Sequence, residues 1–143
     1  MKLSIITPTF NHAKYIETTI KSVLANNYQD LEYIVVDGGS TDGTQDVVAR
    51  YADSITKFIS EPDDGQADAI NKGFTHATGE IYAYINSDDY YFPDTFAKVM
   101  RFFEENPDVD FVYGDCVFVD EGGQFHRYFT EIEPFDRFRL TTC

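Results

Sequence analysis

Short apolar runs of strand character alternate with segments of helical period four times along this chain, and the runs end on polar or turn-forming residues. That alternation limits the fold to an α/β architecture on a mostly parallel, doubly wound sheet, because parallel neighbours need a crossover helix between them. The first run, Lys2 to Thr7, is stopped by Pro8, and Asn11 is placed to cap a helix reaching about Ala25. Ile16, Ile20, Val23 and Leu24 share one face of that helix. Leu31 to Val36 is the second strand, and the turn-rich stretch Gly38 to Gly43 leads into a short helix from Thr44 to Ala52. Ile55 to Ser60 reads as the third strand, Gln66 to Ala77 as a helix, and Ile81 to Ile85 as the fourth strand. Pro93 marks the start of the next helix, with Phe96, Val99, Met100 and Phe103 on its buried face. Phe111 to Val119 and Gln124 to Phe129, joined at Gly122-Gly123, form a closing antiparallel hairpin.

The 143 residues make one domain's worth of chain, and 43% apolar content is enough for a sizeable core. Acidic residues outnumber basic ones 25 to 11, for a formal charge of -14. Such a surface repels nucleic-acid backbones and anionic lipid, which excludes nucleic acid as a partner. A diphosphate could be held only where a metal cation or backbone amides offset that charge. No run approaches the ~18 apolar residues of a transmembrane helix, and no secretory leader follows Met1-Lys2, so the reading is cytoplasmic. Cys116 and Cys143 lack metal or disulfide spacing and read as a packed thiol and a frayed terminal one. His12, His76 and His126 show no ligand spacing and read as incidental.

In open parallel sheets ligands sit beyond the carboxyl ends of the strands. Thr7-Pro8, Asp37, Glu61 and Asp88-Asp89 all follow strand ends, so they converge on one rim. The adjacent carboxylates Asp88 and Asp89 suit a hard cation, Mg²⁺ or Mn²⁺, shared with phosphate oxygens. Capping of the helix near Pro93 is the alternative, although Asp94 is closer to it. Asp37 suits either a hydrogen bond to a base or ribose, or an Asx turn into the next helix. No Walker loop or G-x-G-x-x-G follows any strand, which argues against simple ATPases and dinucleotide dehydrogenases. Gly39 breaks a phosphatase-type Asp-x-Asp, and Val48 stands where a calcium loop from Asp37 would need its closing Glu.

Four ordered motifs carry a resemblance. They are Thr7-Pro8-Thr9-Phe10-Asn11, the run Ile34 to Thr44, the block Glu61 to Gly73, and Asn86-Ser87-Asp88-Asp89. Together they resemble glycosyltransferase family 2, inverting enzymes of the GT-A fold that use nucleotide-diphosphate sugars, over roughly residues 1–120. The resemblance implies that Thr7 and Pro8 meet the nucleoside, that Asp37 bonds the base (usually uracil), and that Asp64, Gln66, Asp68 and Asn71 flank base and ribose. It implies that Asn86, Ser87 and Asp88 meet the donor, with a Mn or Mg ion on Asp88 and Asp89. Two departures stand out: Asn86 replaces the first acid of the family's Asp-x-Asp, and Ile70 replaces an Arg common before the Asn of the third block. Lys72 is no substitute for that Arg, since it is turned about 100° from Asn71 on a helix.

The implied reaction is hexosyl transfer from a UDP-sugar to a hydroxyl on a saccharide, lipid-linked or other acceptor, with peripheral association of the full-length enzyme at the inner face of a membrane. The general base falls beyond Cys143 by the family pattern. Glu131, Glu133 and Asp136 do not match the base motif and read as solvated linker. The expectation is therefore a single nucleotide-sugar-binding domain over residues 1–143, truncated at its acceptor and catalytic-base end. Two alternatives stand beside it. One is a binding module that holds a nucleotide sugar without transferring it. The other is a nucleotidyltransferase, whose glycine-rich, Arg- and Lys-bearing loop after the first strand is absent.

Overall fold

A computed structural model describes residues 1–120 and 122–128. The elements run β1 (Leu3–Thr9), α1 (Ile16–Ala25), β2 (Leu31–Asp37), α2 (Thr44–Ala49), a 3-10 turn (Ala52–Ser54), β3 (Lys57–Ser60), α3 (Gln66–His76), β4 (Ile81–Tyr84) and α4 (Thr95–Glu105). A hairpin of β5 (Val117–Val119) and β6 (Phe125–Tyr128) follows. The chain divides into two compact units, Met1–Asn106 and Pro107–Cys143.

In the first unit four strands lie in the order β3-β2-β1-β4, all parallel. The strand order reverses between β1 and β4, and such a switch point opens a crevice at the carboxyl edge. Every position of β1 is buried, as are six of the seven in β2, whereas β4 exposes alternate residues and β3 exposes all but Ile59. The period-2 alternation of the central strands feeds two cores. Ile5, Tyr33 and Val35 pack with Ile16, Ile20 and Val23 of α1 and Phe96 and Met100 of α4. On the other face Ile6, Ile34 and Val36 pack with Ala69 of α3. Gly73 lets α3 lie close to the sheet, since a Cβ there would sit 2.5 Å from Ile6 Cγ2. Each fully buried Ile or Val contributes roughly 1.5–3 kcal/mol.

Several sequence expectations shift here. β1 runs through Pro8 to Thr9; β4 pairs with β1 only as far as Ile6, so the missing N–H of Pro8 leaves no β4 ladder bond unmade. Asn11 adopts a left-handed φ of 53° and does not cap α1, which starts at Ile16. Asp94 precedes α4 but makes no side-chain capping bond. Cys116 is exposed, not packed. The hairpin is not an extra strand of the main sheet but a separate two-stranded sheet, with Asp120 Oδ1 accepting the Gly122 and Gln124 N–H groups at its turn. Cys143, Glu131, Glu133 and Asp136 lie outside the described residues. No helix among the described residues is long and apolar enough to cross a membrane.

Candidate functional site

At the carboxyl edge of the sheet a cleft of about 530 Å³ opens, a size suited to a small-molecule ligand. β1 and the loop after it supply Pro8, Thr9, Phe10 and His12, and Gly38 follows β2. Asp63 and Gly65 come from the loop after β3, Gln66 and Ala69 from α3, and Asn86, Ser87 and Asp88 from the turn after β4. Phe10 is 59% exposed and offers an aromatic face to a ligand. The Thr9 hydroxyl is, among the described residues, the one buried side-chain polar atom without a hydrogen-bond partner.

Two loops are knitted into one wall. Asn11 Oδ1 accepts the Thr41 N–H (2.9 Å), and Ser40 Oγ accepts the Asn11 N–H (2.7 Å). Thr44 Oγ1 accepts the His12 N–H at 3.0 Å and donates to Asp42 Oδ1 at 2.6 Å, while Asp42 Oδ2 takes the Ala13 N–H at 3.0 Å. The Thr44 hydroxyl and then the Ala13 N–H hold the Asp42 carboxyl below its usual range. Asp37 anchors the same wall from beneath. It is fully buried; the Ser40 hydroxyl donates to Oδ1, and the Ser40 N–H (3.1 Å) and the Ser60 hydroxyl (2.7 Å) donate to Oδ2. With both oxygens engaged and no exposed surface, Asp37 meets a base only if that network opens. Thr7 is likewise buried, its hydroxyl 3.0 Å from the Tyr33 phenol oxygen, whose pKa burial pushes up.

The turn after β4 is built differently. Asp89 N–H closes it on Asn86 O (3.1 Å), Asn86 Nδ2 donates to Asp89 Oδ2 (3.0 Å), and Gln66 Nε2 donates to Asn86 Oδ1 (2.6 Å). Ser87 is buried with its hydroxyl 2.7 Å from His12 Nδ1. Asp88 is exposed on the cleft wall, and its carboxylate has no hydrogen bond or ion pair among the described residues. Capping does not account for this pair, because α4 begins only at Thr95. The charge of Asp89 joins burial in pushing the neighbouring Tyr91 phenol up to about 12, burial being the larger cause.

The third block lies mostly outside the cleft wall. Asp68 Oδ2 accepts the Asp64 N–H (3.2 Å) and pairs with Lys72 Nζ (3.2 Å). Those contacts hold its carboxyl below the usual range, the Asp64 N–H contributing most. Lys72 also meets Glu61 (3.2 Å), and it does not line the cleft. Asp64 and Asn71 are exposed and do not line the cleft. Of the sequence-derived site residues, the fold brings together Pro8, Gln66, Asn86, Ser87 and Asp88, with Asp89 bonded to Asn86 behind them. His12 and Asp63 also line the cleft and were not singled out by sequence; their position just past a strand end was the available signal.

Among the described residues no three His, Cys, Asp or Glu side chains form a ready cation cage. Mg²⁺ and Mn²⁺ do not require one, since they bind through one or two carboxylates plus substrate phosphates. The open Asp88 carboxylate fits that pattern.

Residues 4–142 match the family described as Glycosyl transferase family 2. The chain belongs to that family. A relative, an uncharacterised glycosyltransferase of Nostoc, is 36% identical over 107 residues, covering 73% of this chain and 33% of its own length. A PGL/p-HBAD biosynthesis glycosyltransferase of Mycobacterium bovis is 36% identical over 118 residues, covering 80% of this chain and 46% of its own. The chain thus spans under half the length of these curated relatives. Among solved structures, S. aureus TarS 1-349 in complex with UDP-GlcNAc superposes with a TM-score of 0.69 at 29% identity, over 75% of this chain and 32% of that one. The mannosyltransferase PcManGT from Pyrobaculum calidifontis, in complex with GDP-Man and Mn2+, gives 0.65 at 33% identity, over 71% and 32%. The fold is GT-A-like, and the cleft lies where its strand order switches.

Proposed function

We propose that the cleft binds a nucleoside-diphosphate sugar, with a UDP-sugar as donor, as the donor half of an inverting, metal-dependent hexosyltransferase. The observation that carries this reading is the Asp88 carboxylate, without a partner among the described residues, on the cleft wall at the β1/β4 switch point. The UDP-GlcNAc complex of TarS and the GDP-Man and Mn2+ complex of PcManGT support it.

In this reading Pro8, Gln66, Asn86 and Ser87 contact the donor, while Thr7 and Asp37 in the strands, Asp64 in the loop after β3, and Asp68 and Asn71 on α3 stand outside direct contact with it. Asp88, with Asp89 beside it, would hold a Mn or Mg ion, which supplies positive charge against the departing diphosphate. An acceptor oxygen forms a bond to the anomeric carbon as the bond from that carbon to the β-phosphate oxygen breaks, inverting the centre. The nucleoside diphosphate leaves with the electron pair. The acceptor proton passes to a general base, which we assign to a carboxylate outside the described residues. Asn86, bridging Gln66 and Asp89, fixes the turn from which Asp88 faces the cleft.

Thermal unfolding with UDP, GDP and dTDP, each with and without Mn²⁺, tests the binding reading. Stabilisation by a diphosphate that depends on metal is expected, worth about 2.7 kcal/mol at a hundredfold excess over Kd. No response to any nucleotide would overturn it. Hydrolysis or transfer assays with UDP-sugars then separate a transferase from a module that only binds.

A further inference from the structure

Within the proposed nucleotide site, we infer that Asp63 is the carboxylate that reads the base, accepting the imide N–H of a uracil over Gly38. Asp37, the acid expected in that role from sequence, is fully buried with both oxygens engaged by Ser40 and Ser60. Asp63 is half-buried and lines the cleft. Its Oδ1 is anchored by the Gly65 N–H at 2.9 Å, which fixes the side chain. Its Oδ2 has no donor among the described residues and stands 2.7 Å from where a Cβ on Gly38 would be. Gly38 thus leaves space that a free, pre-oriented carboxylate oxygen occupies.

A lone acceptor held in that way selects a donor. The diphosphate end of the ligand is the wrong chemistry for it, because like charges repel. A ring N–H is the right chemistry, and uracil presents one at N3, whereas the corresponding cytosine nitrogen is an acceptor. The placement agrees. Gly38 follows β2 and Asn86 follows β4, two strands away, which is roughly 10 Å at the usual strand spacing. That distance suits the reach from a base edge across ribose to a diphosphate at Asp88. The exposed ring of Phe10 lines the same cleft and provides a face for the base.

The inference rests on the proposed donor site, and its test separates the two. Calorimetry with Mn²⁺ would compare UDP and N3-methyl-UDP on the native protein, on Asp63→Ala and on Asp63→Asn. The native protein should prefer UDP by about tenfold to hundredfold, the range of one hydrogen bond to a charged group. In both variants that preference should vanish, while N3-methyl-UDP binds at least as well as it does to the native protein. Asp63→Asn preserves an oxygen for the Gly65 N–H and guards against misfolding. Its amide can also donate to cytosine N3, so its affinity for CDP should rise relative to UDP. Gly38→Ala should erode the UDP preference as well, by displacing Oδ2, without positive-φ strain. A preference for UDP that persists in Asp63→Ala, or an equal loss of both nucleotides, would overturn the assignment while leaving the donor site standing. Failure of the native protein to bind any nucleoside diphosphate would remove both.

Discussion

The two ends of the parallel sheet treat a carboxylate in opposite ways. At the amino end, Glu32 is buried and receives Lys2 Nζ at 2.8 Å, the Ser4 hydroxyl at 2.6 Å, and the Thr78 N–H and hydroxyl at 2.6 and 2.8 Å. At the carboxyl end, Asp88 stands exposed with no partner among the described residues. A saturated acid ties elements together: Glu32 joins the chain before β1, β1 itself, β2 and the loop after α3. An open acid contributes little to folding and remains available to a ligand. Asp37 sharpens the contrast, because it lies on the ligand-binding side of the sheet yet is saturated like Glu32.

The largest effect should come from the open acid. Asp88→Asn should lower metal-dependent nucleotide binding by about a hundredfold or more, comparable to losing one key electrostatic contact in an active site. Its unfolding free energy should stay within about 0.5 kcal/mol of the native value, as for a surface substitution. A variant that unfolds early would show that Asp88 is structural after all.

Glu32 should behave in the reverse sense. Burial alone would raise its pKa, but the bonds from Lys2, Ser4 and Thr78 outweigh it and take the carboxyl from 4.5 down to about 2. A depressed folded pKa means the stabilisation is present above the unfolded value and is lost as pH falls from 4.5 toward about 2. Glu32→Gln should therefore cost ~2 kcal/mol near neutral pH, less than the full shift because Lys2 is partly solvated, and flatten the acid limb of the stability profile. Nucleotide affinity should not move. An unchanged acid limb would break this half of the contrast.

Asp37→Asn should destabilise by about 1–2 kcal/mol, since one amide hydrogen would face a donor in a buried network. Nucleotide affinity of the folded fraction should fall only a few-fold. A hundredfold loss with unchanged stability would return Asp37 to the base. An equally small stability effect belongs to Thr9→Val. Its hydroxyl has no partner among the described residues, so stability should change by less than about 0.5 kcal/mol; a drop beyond 1 kcal/mol on denaturant titration would reveal a partner for it.

The alternation of strands and helices was legible because it is written in local periodicity, and the rim follows from topology once the strands are parallel. The turn at Asn86 to Asp89 was legible for the same reason. What local sequence does not encode is whether a carboxylate at a strand end is satisfied. Asp37 looks like an open acid until Ser60, 23 residues away, is brought beside it. Asn11 carries the residue type of a helix cap, but its side chain is taken by Thr41, 30 residues on. Pro8 looked like the end of β1 because the short reach of β4 is a property of register, not composition. His12 sits in no spacing pattern, and Asp63, although inside the third motif, carries no signal that separates it from its acidic neighbours; each becomes notable only through Ser87 and Gly38.

The central claim, that the open Asp88 shares a divalent cation with the diphosphate of a bound nucleotide, can be measured through the cation itself. Electron paramagnetic resonance counts free Mn²⁺ during titration of the protein with and without UDP. Weak Mn²⁺ binding by the protein alone, strengthened at least tenfold beyond the UDP–Mn²⁺ association itself and abolished in Asp88→Asn, is the expected result. Mn²⁺ uptake that is indifferent to UDP, or equal in Asp88→Asn and the native protein, would contradict the account.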